Sequence, residues 1–326
     1  MNIVFAINKS YKDILSVLLL SILENNSQEF IHFYILNTDF DEKDKKNYDY
    51  LHKSFKNFEI SFLKPDASKF KDLKLNIGYI SIEAYYRYSI AELLSNEDRA
   101  LYLDADTIVN GSLSELYHTD LGNNYMAGVR DLCIEELGYK EKIDMSENDL
   151  YINSGVLLLN LKKMRADNLE QTLLNNTNNL KDIIEIQDQD VINITCKGKI
   201  KEIDSIYNFT HANVSKEKKK HDRAVIIHYT GKIKAWDKDS INKMKNIWWK
   251  YKKIELQLLG KDLNDFPYKT SDIFLFHLPI ITIMREFDSC SIKLFKSIPL
   301  YSIKCKKHAC RHYLFGFIPF LKIKEK

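Results

Sequence analysis

The sequence predicts an α/β fold with a mostly parallel central sheet flanked by helices. Three observations carry this. Short apolar runs alternate with segments of helical periodicity through the first hundred residues. Polar residues follow the apolar runs directly, at Asn8-Lys9-Ser10 and Asp104-Ala105-Asp106, and ligands of such sheets gather at the carboxyl ends of strands. Gly and Pro are scarce, 10 and 5 in 326 residues, which argues against long flexible linkers.

In chain order, residues 3–7 (IVFAI) read as a first buried strand, and residues 11–23 carry apolar positions at helical spacing. Residues 30–36 form a second strand, 41–55 a charged surface helix and 58–63 an alternating third strand. Residues 81–94 are apolar and aromatic at helical spacing, and 100–103 are the strand that ends in the paired acids. Further strands are expected at 125–129, 152–159 and 224–228, and helices at 188–196 and 241–259. The first domain is expected to span 1–260.

Residues 261–326 read as a separate appendage with a basic, aromatic composition, expected to be helical. From Arg285 onward there are ten Lys or Arg and three acids, interleaved with Phe287, Phe295, Tyr301, Tyr313, Phe315, Phe317 and Phe320. Cations mixed with aromatics suit an interfacial anchor on an anionic membrane surface.

Composition excludes several classes. Hydrophobic residues are 45% and charged residues 29%, an ordinary globular balance, and a net charge of +3 is not that of a nucleic-acid-binding polycation. The five cysteines (133, 196, 290, 305 and 310) are odd in number and scattered, which indicates neither a disulfide framework nor a zinc site and suits a reducing compartment. The run at 3–7 is too short for the apolar core of a secretory leader, and residues 273–284, with His277 and Pro279, are too short to span a bilayer. The expected location is cytoplasmic, peripheral on the inner face of the cytoplasmic membrane.

The segment Leu101-Tyr102-Leu103-Asp104-Ala105-Asp106 is the most informative in the chain. Alternate residues of an extended chain point the same way, so Asp104 and Asp106 can converge on one hard cation. A divalent ion held by two carboxylates keeps positions open for substrate phosphates. Small polar residues interrupt the apolar run at Asn153-Ser154-Gly155, which marks a recognition point rather than pure core.

With these phrases in place, the chain resembles glycosyltransferase family 8, the group of lipopolysaccharide galactosyl- and glucosyltransferases and glycogenin. The resemblance rests on YRYSIAELL, LYLDADTIVNGSLSELY, YINSGVLLLNLKKMR, QDQDVIN, HYTGKIKAW and IWWKY, in family order over roughly residues 1–252. It implies a GT-A fold, that of nucleotide-diphospho-sugar transferases. It also implies Mn2+-dependent, retaining transfer of galactose or glucose from a UDP-hexose donor, with Mg2+ as the substitute ion. The implied acceptor is a saccharide, lipid-linked, in lipopolysaccharide, lipooligosaccharide or capsule synthesis. Alternatives within the resemblance are a protein glucosyltransferase and a catalytically weak UDP-sugar-binding homologue.

Residue by residue, the resemblance makes Asp104, Asp106 and His228 the metal ligands, a donor set that suits Mn2+. Lys234 would reach the diphosphate, with Gly231 allowing close backbone approach. Ala6, Asn8, Ser10 and Tyr11 would hold uridine and ribose, and Ala105 lies in the same segment. Arg87 would stand near sugar and diphosphate. Asn153, Asp131, Asp188 and Gln189 would line the hexose, Ser154 would also bind the UDP-sugar, and Gln189, Asp188 and Asp131 are the catalytic candidates. The chain departs from the pattern at Asn8, where the family often has an acid, and at Lys234-Ala235-Trp236, where Lys-Pro-Trp is usual. No carboxylate nucleophile stands out, Asp190, Asp131 and Gln189 being unequal candidates, so a front-side displacement is the expected route, with a diphosphate oxygen taking the acceptor's proton.

Overall fold

The structure, a computed structural model, describes residues 1–261 apart from 79, 137, 238, 239 and 241, together with the backbone of six strands between 270 and 324. The chain divides into two units, Met1–Leu259 and Gly260–Lys326.

In the first unit, β1 (Asn2–Ala6), β2 (Ile31–Leu36), β3 (Phe58–Leu63), β4 (Arg99–Leu103), β6 (Met126–Arg130), β7 (Ile152–Asn160) and β8 (Ile200–Glu202) form one seven-stranded sheet, while β5 (Thr107–Val109) and β9 (Ile226–His228) form a separate antiparallel pair. The order β3-β2-β1-β4-β7-β6-β8 places β1 and β4 side by side where the winding reverses. That reversal leaves a crevice at the carboxyl ends of the two strands. All neighbours are parallel except across β7, which runs against β4 and β6. The first residues of β7 therefore lie beside the last residues of β4, at the same sheet edge.

Both faces of the sheet are covered, which explains the near-continuous apolar strands. Ile3 and Phe5 pack with Leu15, Leu18, Leu19 and Ile22 of the helix Lys12–Asn25, while Val4 turns to the opposite face with Tyr85, Tyr86, Tyr88, Tyr102 and Leu157. A third cluster gathers Ile108, Ile227, Tyr229, Trp248 and Tyr251 beneath the β5–β9 pair, against the helix Lys245–Leu258. Strand and helix bounds fall within a few residues of those read from the sequence. Two expected helices are only partly α: residues 42–45 start as α-helix from an Asp41 capping box and continue as 3-10 helix to Lys53, and Ile82–Ser89 is 3-10 before the short α turn Ile90–Leu93.

The second unit corrects one expectation. Among its described residues the appendage is strand rather than helix: β10 (Thr270–Leu275), β11 (Leu278–Glu286), β12 (Ser289–Leu294), β13 (Ile298–Lys306), β14 (Ala309–Leu314) and β15 (Ile318–Lys324) form an antiparallel meander in chain order. The signal was a repeat. Leu278-Pro279, Ile298-Pro299 and Ile318-Pro319 recur every twenty residues, as do Ile283, Ile303 and Ile323, and Cys290 and Cys310. Composition suggested an amphipathic helix, but stretches such as Ser302-Ile303-Lys304-Cys305-Lys306 alternate with period two. Each proline is paired just after a register shift, opposite Phe274, Lys293 and Tyr313. Irregular positions of this kind tolerate a residue that cannot donate to the ladder.

Candidate functional site

At the β1/β4 crevice the chain lines a cavity of about 380 Å³. The loop after β1 contributes Ala6, Asn8 and Tyr11. The turn after β4 contributes Asp104, Ala105 and Asp106, and β7 opens with Asn153, Ser154 and Gly155. Asp131 follows β6, Asp188 and Gln189 come from the helix Gln187–Thr195, and Arg87 comes from the 3-10 segment. His228, Gly231 and Lys234 arrive from β9 and its following loop. Every site residue expected from the sequence lines this cavity except Ser10, whose amide and hydroxyl instead bond the Asn8 side-chain oxygen at 3.1 and 2.5 Å.

One end of the cavity is built from charge. Asp104, Asp106 and His228 each offer a ligand atom, and these atoms lie within 4.8 Å of one another. The pairing of Thr107 with His228 in the β5–β9 ladder brings the imidazole to the acids. His228 Nε2 is 3.2 Å from Asp106 Oδ1 and 3.9 Å from Asp104 Oδ2. Its Nδ1 faces Asn208 Oδ1 at 2.9 Å, and Asn208 in turn donates to Asn153 Oδ1 at 2.9 Å. This chain orients the Asn208 oxygen toward Nδ1, where it can accept the Nδ1 proton, and turns Nε2 toward the two acids.

Asp104 Oδ1 accepts from Tyr102 Oη at 2.6 Å and Arg87 Nη2 at 3.1 Å, leaving Oδ2 on the His228 side. Lys234 Nζ lies 2.5 Å from Asp106 Oδ2 and 3.0 Å from the Tyr229 carbonyl. Burial alone would raise the Asp106 pKa, but Lys234 and His228 hold it well below the usual carboxylate range; Asp106 in turn outweighs burial at Lys234 and raises its pKa. The donor set of two carboxylates and one imidazole, with Nε2 free of protein donors, fits a divalent cation. The backbone leaves room for it. A Cβ on Gly155 would lie 2.2 Å from His228 Cε1 and 2.7 Å from Asp104 Oδ2, so only glycine lets these groups sit together here.

The other end is built mainly from neutral hydrogen bonds. Gln189 Oε1 accepts from Ser154 N at 3.0 Å and Asn153 Nδ2 at 3.1 Å, while Nε2 donates to Asp131 Oδ2 at 3.1 Å and reaches Tyr151 Oη at 3.3 Å. An acid at position 189 would set two carboxylates against each other, which explains the amide. Beneath it, fully buried Asp190 accepts from Tyr139 Oη at 2.6 Å, Tyr151 Oη at 2.5 Å and the backbone amides of Glu185 and Ile186 at 2.9 and 2.7 Å. The helix is locked to β7 by Asn193, which bonds both the amide and the carbonyl of Ile152.

Asp188 joins the two ends through Arg87. Arg87 Nε is 3.2 Å from Asp188 Oδ2, Nη1 donates to the Ser154 carbonyl at 2.5 Å, and Nη2 reaches Asp104. Burial pushes Asp188 up to about 6 despite the opposing Arg87. Asn208, Tyr102 and the particular role of Gly155 were missed by the sequence reading, and Asp190, a nucleophile candidate there, instead accepts from two buried phenols and two backbone amides. Gly155 stood within a quoted phrase; Asn208, 20 residues before His228, carried no local signal.

Comparison with known proteins agrees with this construction. Residues 2–240 match glycosyl transferase family 8. A Haemophilus influenzae protein assigned as a glycosyltransferase is 35% identical over 245 residues, 73% of each chain, and the Escherichia coli lipopolysaccharide 1,2-glucosyltransferase is 30% identical over 260 residues, 74% of each. The solved structure of the galactosyltransferase LgtC in complex with donor and acceptor sugar analogs superposes with a TM-score of 0.71 at 31% identity, covering 77% of this chain and 95% of that one. With the paired acids after β4 and the winding reversal at β1/β4, the first unit is a GT-A fold, and the chain belongs to glycosyl transferase family 8.

Proposed function

We propose that this glycosyltransferase moves a hexose, galactose or glucose, from a UDP-sugar to a saccharide acceptor of a surface glycan such as lipopolysaccharide, lipooligosaccharide or capsule, with retention of configuration. The observation that carries the reading is the cluster of Asp104, Asp106 and His228 beside Lys234, in one cavity with Asn153, Asp188 and Gln189. Asp104, Asp106 and His228 would hold Mn2+, or Mg2+ in its place, and a bound cation supplies Lewis-acid neutralisation of a leaving diphosphate.

The chain's own residues account for the rest. Lys234 is a second cation for the leaving group, carried on a loop whose Gly231 has a φ of +84°. Ala6, Asn8 and Tyr11 face the nucleoside, with Ser10 fixing Asn8 from behind. Arg87 stands between the diphosphate and the sugar, held by Asp104 and Asp188. Asn153, Ser154, Asp131 and Asp188 offer acceptors and donors to hexose hydroxyls, and Gln189 presents its amide to the reacting face. Its oxygen is already engaged with Ser154 and Asn153, so it is poorly disposed to attack. The C1–O bond to the diphosphate breaks, the acceptor oxygen bonds C1 on the same face, and the acceptor's proton passes to the departing diphosphate. The transition-state charge is balanced by preorganised dipoles and Asp188.

The test is a screen of UDP-sugars for hydrolysis and transfer with Mn2+. Turnover with UDP-galactose or UDP-glucose that disappears in Asp104→Asn and Asp106→Asn supports the reading; turnover that survives both changes rejects the metal assignment. A glycosyl adduct trapped on any side chain rejects the front-side route. The protein glucosyltransferase and binding-only alternatives predict, respectively, a labelled protein acceptor and no turnover at all.

We further propose that the basic appendage holds the enzyme on the anionic inner face of the cytoplasmic membrane, beside a lipid-linked acceptor. No helix among the described residues is long and apolar enough to cross a membrane. Co-sedimentation of the full chain with anionic but not neutral vesicles, lost when Lys304, Lys306, Arg311, Lys322 and Lys324 become Gln, is the expected result.

A further inference from the structure

One carboxylate in the cavity has no role in the chemistry described above. Glu83 lies one residue into the 3-10 segment Ile82–Ser89, lines the cavity beside Asn8, and is only 8% exposed. Among the described residues it has no ion pair, and its hydrogen-bond donor is Asn8 Nδ2 at 3.3 Å from Oε2. A carboxylate can accept about four hydrogen bonds, so this buried acid has unused capacity facing the cavity.

The neighbours sharpen what it would accept. Asn8 Oδ1 is taken by the amide and hydroxyl of Ser10, and the two hydrogens of Asn8 Nδ2 go to Glu83 and to Ser81 Oγ, also at 3.3 Å. The Asn8 amide is therefore spent on the protein. This corner, beside the Tyr11 ring, offers incoming ligands an acceptor and little else. A nucleobase with a ring N–H satisfies it. Uracil carries that hydrogen on N3, whereas cytosine presents a lone pair there, which a carboxylate repels.

We propose that Glu83 reads the base of the donor by accepting the N3–H of uracil, and so sets the preference for uridine over cytidine diphosphates. The inference rests on the nucleotide-sugar reading above and deepens it. Asn8 acts as a positioning residue, holding the Glu83 carboxylate toward the ligand.

The test is calorimetric binding of UDP, CDP, N3-methyl-UDP and 2′-deoxy-UDP to the full chain with saturating Mn2+. Wild type should prefer UDP. Glu83→Gln should weaken UDP and 2′-deoxy-UDP by about tenfold, the scale of a charge-assisted hydrogen bond, leave N3-methyl-UDP unchanged and bind CDP more tightly than wild type does. Asn8→Asp alone should also weaken UDP, because it sets two carboxylates together, and the double variant Asn8→Asp/Glu83→Gln should recover both affinity and the preference over CDP. A loss in Glu83→Gln that persists with N3-methyl-UDP but vanishes with 2′-deoxy-UDP assigns the residue to ribose and overturns the proposal. UDP binding unchanged in Glu83→Gln overturns it while leaving the donor reading intact. Wild type that binds none of the uridine ligands removes the donor reading and this proposal together.

Discussion

The charged end and the amide-lined end of the cavity lie on one sheet edge but are held by different forces. Asp104 pairs with Arg87 and Asp106 with Lys234, and the His228 imidazole lies against both acids. Gln189, Asn153, Ser154 and Tyr151 meet through amide and hydroxyl contacts, with the Asp131 and Asp190 carboxylates accepting from neutral donors. The first arrangement is strong but permutable, since a bound cation or diphosphate can take the place of one ion-pair partner. The second has few alternative pairings, and it suits a surface that must tell one hydroxyl orientation from another. The Asn208–Asn153 bond couples them, because Asn153 is shared between the His228 chain and the Gln189 contacts.

The largest effect should come from neutralising the charged end. Asp106→Asn is expected to lower transfer by about 10³-fold and to abolish Mn2+ binding in calorimetry, with an unchanged circular dichroism spectrum. Metal binding at wild-type strength would break the contrast between the two ends. Gly155→Ala should follow, at about 10²-fold, because its methyl would push His228 and Asp104 apart. Its signature is weakened metal affinity with both ligands still present.

At the amide-lined end the expected losses lie in stability before rate. Asp190→Ala strips the partner from two buried phenols and two backbone amides and should cost about 3 kcal/mol in chemical denaturation. Tyr151→Phe, which removes one of those donors, should cost about 1 kcal/mol and raise KM for the donor sugar more than it lowers kcat.

The smallest effect is the pH dependence of Asp188. Burial holds its pKa up at about 6, so between about pH 4 and 6 the folded protein keeps a proton that the unfolded chain has lost. Stability contributed by this group is present below that window and is lost as pH rises through it. Asp188→Asn should remove that slope from the difference between the two stability profiles; identical profiles would mean Asp188 titrates as an ordinary surface acid.

The charged end was largely legible in the sequence, since paired acids after an apolar run need only the local geometry of a strand end. His228 became legible through the ordered phrases around it rather than through its own surroundings. Asn208 and Tyr102 were not legible, and Asp190 was legible only as a nucleophile candidate, not as the buried acceptor it is. Their roles depend on which strands lie side by side, and the reversal of β7 that brings Asn153 and Gly155 beside Asp104 leaves no mark in composition or period. Glu83 was hidden for a related reason: within YRYSIAELL and its neighbours the aromatic core signal dominates, and one acid in a helical pattern reads as a solvated position. In the appendage the failure was different. Charge and aromatic content were weighed while a recurrence of twenty residues was overlooked, and alternation decided the structure.

That recurrence bears on heredity as much as on shape. Each strand of the meander pairs only with the strands next to it in the chain, and successive units keep the same register. A stretch of DNA encoding one unit could be duplicated or lost by slippage in whole copies, and each new strand would find its partner ready-made. The second unit is thus a module whose dose of cations scales with the number of repeats, without a single substitution in the sheet of the first unit.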